Sequence, residues 1–124
     1  MKIIFSKKGF DTKFGGKPSP IFPDDSMVSL PIGDKKSGIK YADLSSHNGY
    51  NIGELAAELT GKLHYLSKWT AHLDPDLFDK TMARKSGWHP VLGQDGSAYG
   101  HLRNEGVGSG DLFLFYGNQS ICFG

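Results

Sequence analysis

Five consecutive apolar or aromatic residues, Leu112, Phe113, Leu114, Phe115 and Tyr116, constrain this chain more than any other stretch. The run is too short to span a membrane and too β-prone to prefer helix, so it reads as a strand. Gly106, Gly108, Gly110 and Asp111 introduce it, a composition that favours a tight turn. A glycine-rich turn feeding an apolar strand predicts a buried β platform. Just before that turn, His101, Arg103 and Asn104 crowd polar chemistry into four residues. They form the first candidate ligand site.

A chain of 124 residues suits one domain spanning 1–124. Hydrophobic residues at 38% allow a modest core, while 17 glycines and 6 prolines point to many turns. The formal net charge of +1 excludes a strongly basic global field, and with it non-specific duplex binding by charge alone. A local basic patch stays compatible with that total. Cys122 is the single cysteine, so no internal disulfide and no thiolate-rich zinc cluster can form. Its place near the end is a poor one for an ordered nucleophile. The opening MKIIFSKKGF reads as neither a signal peptide nor a membrane segment, which predicts a reduced, cytoplasmic setting.

In chain order, residues 2–6 read as a short strand, and Lys7, Lys8, Gly9, Phe10 and Asp11 follow at once. Polar groups at a strand's exit are well placed to line a site, because the strand fixes where they emerge. Residues 14–25 hold Gly15, Gly16 and three prolines, which exclude regular helix. Phe14, Ile21 and Phe22 predict an ordered cover pinned to the core. The paired glycines match neither the Walker nor the Rossmann spacing, and a turn explains them. Residues 27–32 read as a second strand with Pro31 near its end, and 39–44 as a third, hairpin-paired across a polar turn at 33–38. Residues 51–60 are the clearest helix. Asn51 caps it, Glu54 follows three residues later, Ile52, Leu55, Ala56 and Leu59 make one apolar face, and Gly61 stops it. His64, Tyr65, Lys68 and Trp69 fall in a connection with no predicted element. The expected fold is α+β: a small, mainly antiparallel sheet or partial β-barrel with two to four short helices. Residues 2–6, 27–32 and 112–116 are expected to share one sheet.

His72, Asp74 and Asp76 recur at every second position, so an extended backbone would point all three the same way. One imidazole and two carboxylates can hold a divalent ion, which makes them a weak metal candidate. The competing reading is a helix start, with Asp74 as cap and Pro75 in the first turn, and the proline position favours it. His72, Asp74, Asp76 and His101 are the candidates for acid–base catalysis. Lys80, Arg84 and Lys85 form a basic run, ordinarily a solvated helix face, which beside Trp88 becomes a nucleic-acid patch to test. A short helix over 96–105, capped by Ser97 and ended by Gly106, would show His101, Arg103, Asn104 and Glu105 on its polar side. Lys7, Lys8, Asp11, His101, Arg103 and Asn104 form the candidate nucleotide-binding set. Arginine suits a phosphate or guanine edge, and asparagine suits adenine. Complementary charge predicts that the Lys7–Lys8–Asp11 loop meets the 72–76 block, with those residues near His72 or Asp76. No spacing matches a zinc deaminase, a nucleophile elbow or a Rossmann methyltransferase.

Five blocks in order carry a family resemblance: MKIIFSKKGFD, GGKPSPIFPDD, SLPI, AHLDPDL and GHLRNEGVGSGDLFLFYG. Together they resemble the third of the nucleotide modification associated domain families, found in bacteria and phages. The resemblance runs from residue 1 to about 117. It implies an association with DNA base modification, and so a nucleotide or nucleic acid as partner, but names no reaction and no cofactor. It also implies a longer domain, of which this chain is the N-terminal part. The glycine turn at 108–111 with its strand resembles the EVE, ASCH and PUA-like β-barrel domains, which bind nucleic acids and often modified bases. Three functions stay open: a nucleotide or modified-base binding module, a metal-assisted enzyme working through His72, Asp74 and Asp76, and an accessory protein without a small ligand.

Overall fold

Asn51 lies in extended backbone, and its side-chain oxygen accepts the Glu54 amide at 3.0 Å. That cap starts helix α1, Ile52–Thr60. Gly61 ends it in the left-handed region at φ 74°, donating its amide to the Ala57 carbonyl at 2.8 Å. The computed structural model, which describes residues 1–11, 13–93 and 96–121, builds its core around this helix. Ile52, Leu55, Ala56 and Ala57 pack with Phe10, Phe22, Val28, Leu30, Tyr41, Leu44, Tyr65 and Ala71. Gly53 also faces inward: a Cβ there would meet the Tyr65 carbonyl at 2.6 Å and the Ala42 Cα at 3.0 Å. The helix therefore rests directly on two 3-10 turns, Tyr41–Asp43 and Leu63–Leu66. Asn51 Nδ2 fastens the first of them by donating to the Ala42 carbonyl at 2.8 Å. The Tyr65 ring stands edge-on to both Tyr41 and Trp69, each at 4.8 Å, an arrangement that the ring quadrupoles favour. Tyr41 satisfies its hydroxyl by donating to the Pro31 carbonyl at 2.6 Å. Burial pushes its phenol well above the ordinary value, and Tyr65 adds to the effect.

The described residues form four strands in chain order: β1 Ile3–Lys7, β2 Ser19–Ile21, β3 Leu112–Tyr116 and β4 Gln119–Ile121. β1 pairs with β3 from Ile3 opposite Leu112 to Lys7 opposite Tyr116, and β2 pairs with β4. A second helix, α2, Gly96–Asn104, leads into β3. The α+β class and the two short helices agree with the sequence reading.

The arrangement of the sheet differs from it. Both strand pairs are parallel and two-stranded. Each joins segments about a hundred residues apart, and the crossover that a parallel pair requires holds the whole core for β1–β3 and all of it but Phe10 for β2–β4. Residues 27–32 are extended but join no strand pair. Leu30 accepts from the Phe10 amide at 2.9 Å and donates its own to Ser19 Oγ at 3.0 Å, and Pro31 has no amide to give. The hairpin with 39–44 is replaced by a single bridge from Lys40 to Thr70, because Tyr41 turns into the core. Nor is β3 buried. Leu112, Leu114, Phe115 and Tyr116 are exposed, as are Ile3 and Phe5 on its one neighbour; Ile4 and Phe113, opposite each other, are half-buried. One neighbour cannot cover two apolar faces. Ser97 lies inside α2 rather than at its cap, and residues 80–87 form no α-helix. The expected reading of Cys122 lies outside the described residues.

Candidate functional site

Lys7 and Lys8 leave β1 with the ladder still running, the Lys8 amide donating to the Tyr116 carbonyl at 2.8 Å. The next residue must turn against the extended segment beside it. Gly9 does so at φ 84°, where a Cβ would lie 2.9 Å from the Leu30 carbonyl. The turn sends Phe10 into the core and sets Asp11 behind Lys7, Nζ to Oδ2 3.0 Å. Asp11 Oδ1 also accepts the Phe14 amide at 2.7 Å and the Lys13 amide at 2.8 Å. The Phe14 amide first, then Lys7, hold its carboxyl below the usual carboxylate range. Asp11 thus braces the loop.

A second wall is fixed by long-range backbone bonds, Ala71 amide to Ile39 carbonyl at 2.7 Å and His72 amide to Ile32 carbonyl at 2.8 Å. They bring His72 Nδ1 to 3.1 Å from Asp34 Oδ2. Asp34 also accepts the Lys36 amide at 2.8 Å, and that amide, then His72, lower its pKa. An ionised carboxylate only accepts, so the pair needs a proton on Nδ1 and turns Nε2 toward Asp74 Oδ2, 3.9 Å away. Asp74 Oδ2 in turn lies 3.7 Å from Lys8 Nζ, and its Oδ1 accepts the Gly93 amide at 2.8 Å. Asp34, His72, Asp74 and Lys8 therefore stand in series, and the loop after β1 meets the 72–76 block as its charges suggested.

Other expected roles in that block change. Asp74 caps no helix, because its oxygens are held by Gly93 and Lys8 and the following residues pair as extended chain. Asp76 and Val91 exchange both backbone hydrogen bonds at 2.8 Å. The Asp76 carboxylate turns to Arg84 in a bidentate pair at 2.6 and 2.8 Å. Arg84 also donates to the Phe78 and Asp79 carbonyls and lies 4.1 Å over the Trp88 ring. The Arg84–Trp88 patch is thus an internal clamp. With Asp76 engaged there, the three candidate metal ligands do not converge, and among the described residues no three His, Cys, Asp or Glu side chains are grouped to hold a metal ion.

Between the two walls opens a cavity of about 550 Å³. Val28, Leu30, Leu44, Ile52 and Leu73 give it apolar lining, Phe14, Phe78 and Phe115 line it with rings, Lys7, Lys8, Asp11, Asp74 and Asp76 add charge, and His72 adds its imidazole. Its size and mixed lining suit a small organic ligand with a few fixed polar groups. His101, Arg103 and Asn104 lie elsewhere, exposed on α2. His101 borders a separate hollow beside β1 with Leu102, Val107 and Phe113; of the candidate residues, only Lys7 lines both. Arg103 sits 5.8 Å over the Tyr99 ring and makes no ion pair among the described residues. Asp111, in the turn that follows, accepts the Lys2 and Gly108 amides at 2.8 and 3.0 Å. Asp34 is the site residue that sequence reasoning missed. It reads as one more polar residue in a turn, and only the fold brings it to a histidine 38 positions away.

Fold and site together define a small α+β domain with a ligand-sized cavity edged by a lysine and a carboxylate-held histidine. The sequence matches nucleotide modification associated domain 3 over residues 2–120, so the chain belongs to that family. No curated protein and no solved structure matches it. No helix among the described residues is long and apolar enough to cross a membrane.

Proposed function

We propose that this chain binds a nucleotide, or a base of a nucleic acid, in the cavity between the loop after β1 and residues 72–76. The observation that supports it is the meeting of Lys8, His72 and Asp74 at the edge of an apolar, ring-lined hollow. Lysine supplies a point charge for a phosphate, and the phenylalanine rings supply surface for a base. The Asp34–His72 pair supports a processing role within the same site. A carboxylate on Nδ1 orients the ring, and Nε2, the nitrogen facing the cavity edge, is the atom able to take or give a proton.

Calorimetric titration with nucleoside mono- and triphosphates tests the reading. The parent protein should bind at least one, and Lys8→Ala and His72→Ala should each weaken binding roughly tenfold, about 1.4 kcal/mol. Arg103→Ala and His101→Ala are the comparison pair. Loss in that pair alone, with Lys8→Ala and His72→Ala within about twofold of the parent, roughly 0.4 kcal/mol, would move the site to α2.

A further inference from the structure

We infer that a lysine-lined groove next to the cavity holds the backbone of a single-stranded nucleic acid, so that the ligand is a nucleotide within a strand. The groove has a volume of about 630 Å³. Lys13, Lys35, Lys62 and Lys68 reach it from separate parts of the chain, and Trp69 lies among them. All four lysines are exposed, and none is ion-paired among the described residues; Lys13 Nζ lies 5.3 Å over the Phe14 ring. Asp34 is the single acidic residue in the lining, and its carboxylate is already engaged by the Lys36 amide and His72. For a chain of net charge +1, four cations against one committed carboxylate is a strong local field.

The aromatic content selects the partner. Lysines alone fit any polyanion, whereas a half-buried tryptophan within the basic groove offers a stacking surface. Tyr65 holds that ring edge-on at 4.8 Å, and His64 lies 5.2 Å from it, so it is fixed in place. Stacking on a single ring requires an unpaired base, which favours a single strand over a duplex. Continuity with the cavity is the second argument. Asp34 lines the groove, His72 lines the cavity, and the two side chains touch at 3.1 Å. A strand lying along the lysines passes one carboxylate–imidazole pair from the place where a nucleotide would enter.

The groove rests on different residues from the cavity, so the two ideas fail separately. The test is fluorescence anisotropy with labelled single-stranded DNA and RNA of about a dozen nucleotides, a length within the known site sizes, across a salt series. Four phosphate contacts predict a slope of log affinity against log salt near −3, from about −0.7 per contact. Replacing all four lysines by glutamine, with folding checked by circular dichroism, should flatten the slope and cost at least tenfold in affinity. Mononucleotide binding in the cavity should survive that change, while Lys8→Ala should do the reverse. In a Trp88→Phe background, quenching of the remaining tryptophan by the oligonucleotide should report Trp69. Binding by DNA alone, RNA alone or both supports the groove and names the strand. Unchanged oligonucleotide affinity in the four-lysine variant overturns it. So does inorganic polyphosphate or a polyglutamate peptide competing as well as the oligonucleotide at equal charge.

Discussion

Helix α1 and strand β3 are both short and rich in large apolar residues, and they end in opposite environments. In α1 the apolar residues share one face, and two 3-10 turns, the extended segment at 27–32 and the Phe10 loop are there to cover it. In β3 every position is apolar or aromatic, so both faces ask for cover, but among the described residues β1 is the only partner. Apolar content decides what a segment would gain from burial. The number of neighbours the topology delivers decides whether it is buried.

The sharpest test of this contrast is a pair of equal truncations. Leu44 is fully buried and Leu114 is 40% exposed. Leu44→Ala should cost about 2–5 kcal/mol in urea unfolding, and Leu114→Ala less than about 1 kcal/mol. Equal costs would mean that the outer sheet is as well packed as the core. A smaller effect is expected at the seat of α1. Gly53→Ala inserts a methyl group where backbone already stands 2.6 Å away and should cost about 1–3 kcal/mol, despite alanine's better helix propensity. A stabilised variant would show that the helix does not rest on its turns as closely as described.

Acid separates the regions more gently. The Lys2 amide first, then the Gly108 amide, hold the Asp111 carboxyl below its ordinary 3.8. A carboxyl lowered on folding stabilises the fold above its unfolded pKa, and that share is lost as pH falls through the folded value. The stitch between β1 and β3 should therefore loosen below about pH 4. In amide chemical shifts followed from pH 6 to pH 2, Asp111→Asn should remove the transition at Lys2 and leave those of the Asp11 and Asp34 loops. Persistence of the Lys2 transition in that variant would reassign it.

What could be read from the sequence was what is decided locally. The α1 cap, its apolar face and the Gly61 stop all act within a few residues, and all three stand in the structure. The β1 and β3 segments were recognised for the same reason. Their parallel pairing and exposure depend on partners a hundred residues away, which no local pattern encodes. β2 was hidden by prolines, which are tolerated because the strand is three residues long and lies at a sheet edge. In the site, the meeting of the loop after β1 with the 72–76 block followed from charge, but Lys8 meets Asp74 there rather than Asp76, and the Asp74 cap reading failed because a long-range partner outcompeted the local one. Asp34 and the groove lysines were invisible, since isolated charges in polar turns acquire meaning only when the fold assembles them.

The stitch between Lys2 and Asp111 spans 109 positions of chain. Among the described residues the buried core lies between Phe10 and Ala71, so it can condense before β3 and β4 have left the ribosome. β1 and β2 cannot. Each waits for a partner about a hundred residues further along the chain, and the lysines at the end of β1 stay unplaced until then. Lys8 belongs to that late closure, and Asp74, which it meets, lies just past the early core. The cavity edge is therefore completed after the core, when β3 reaches β1.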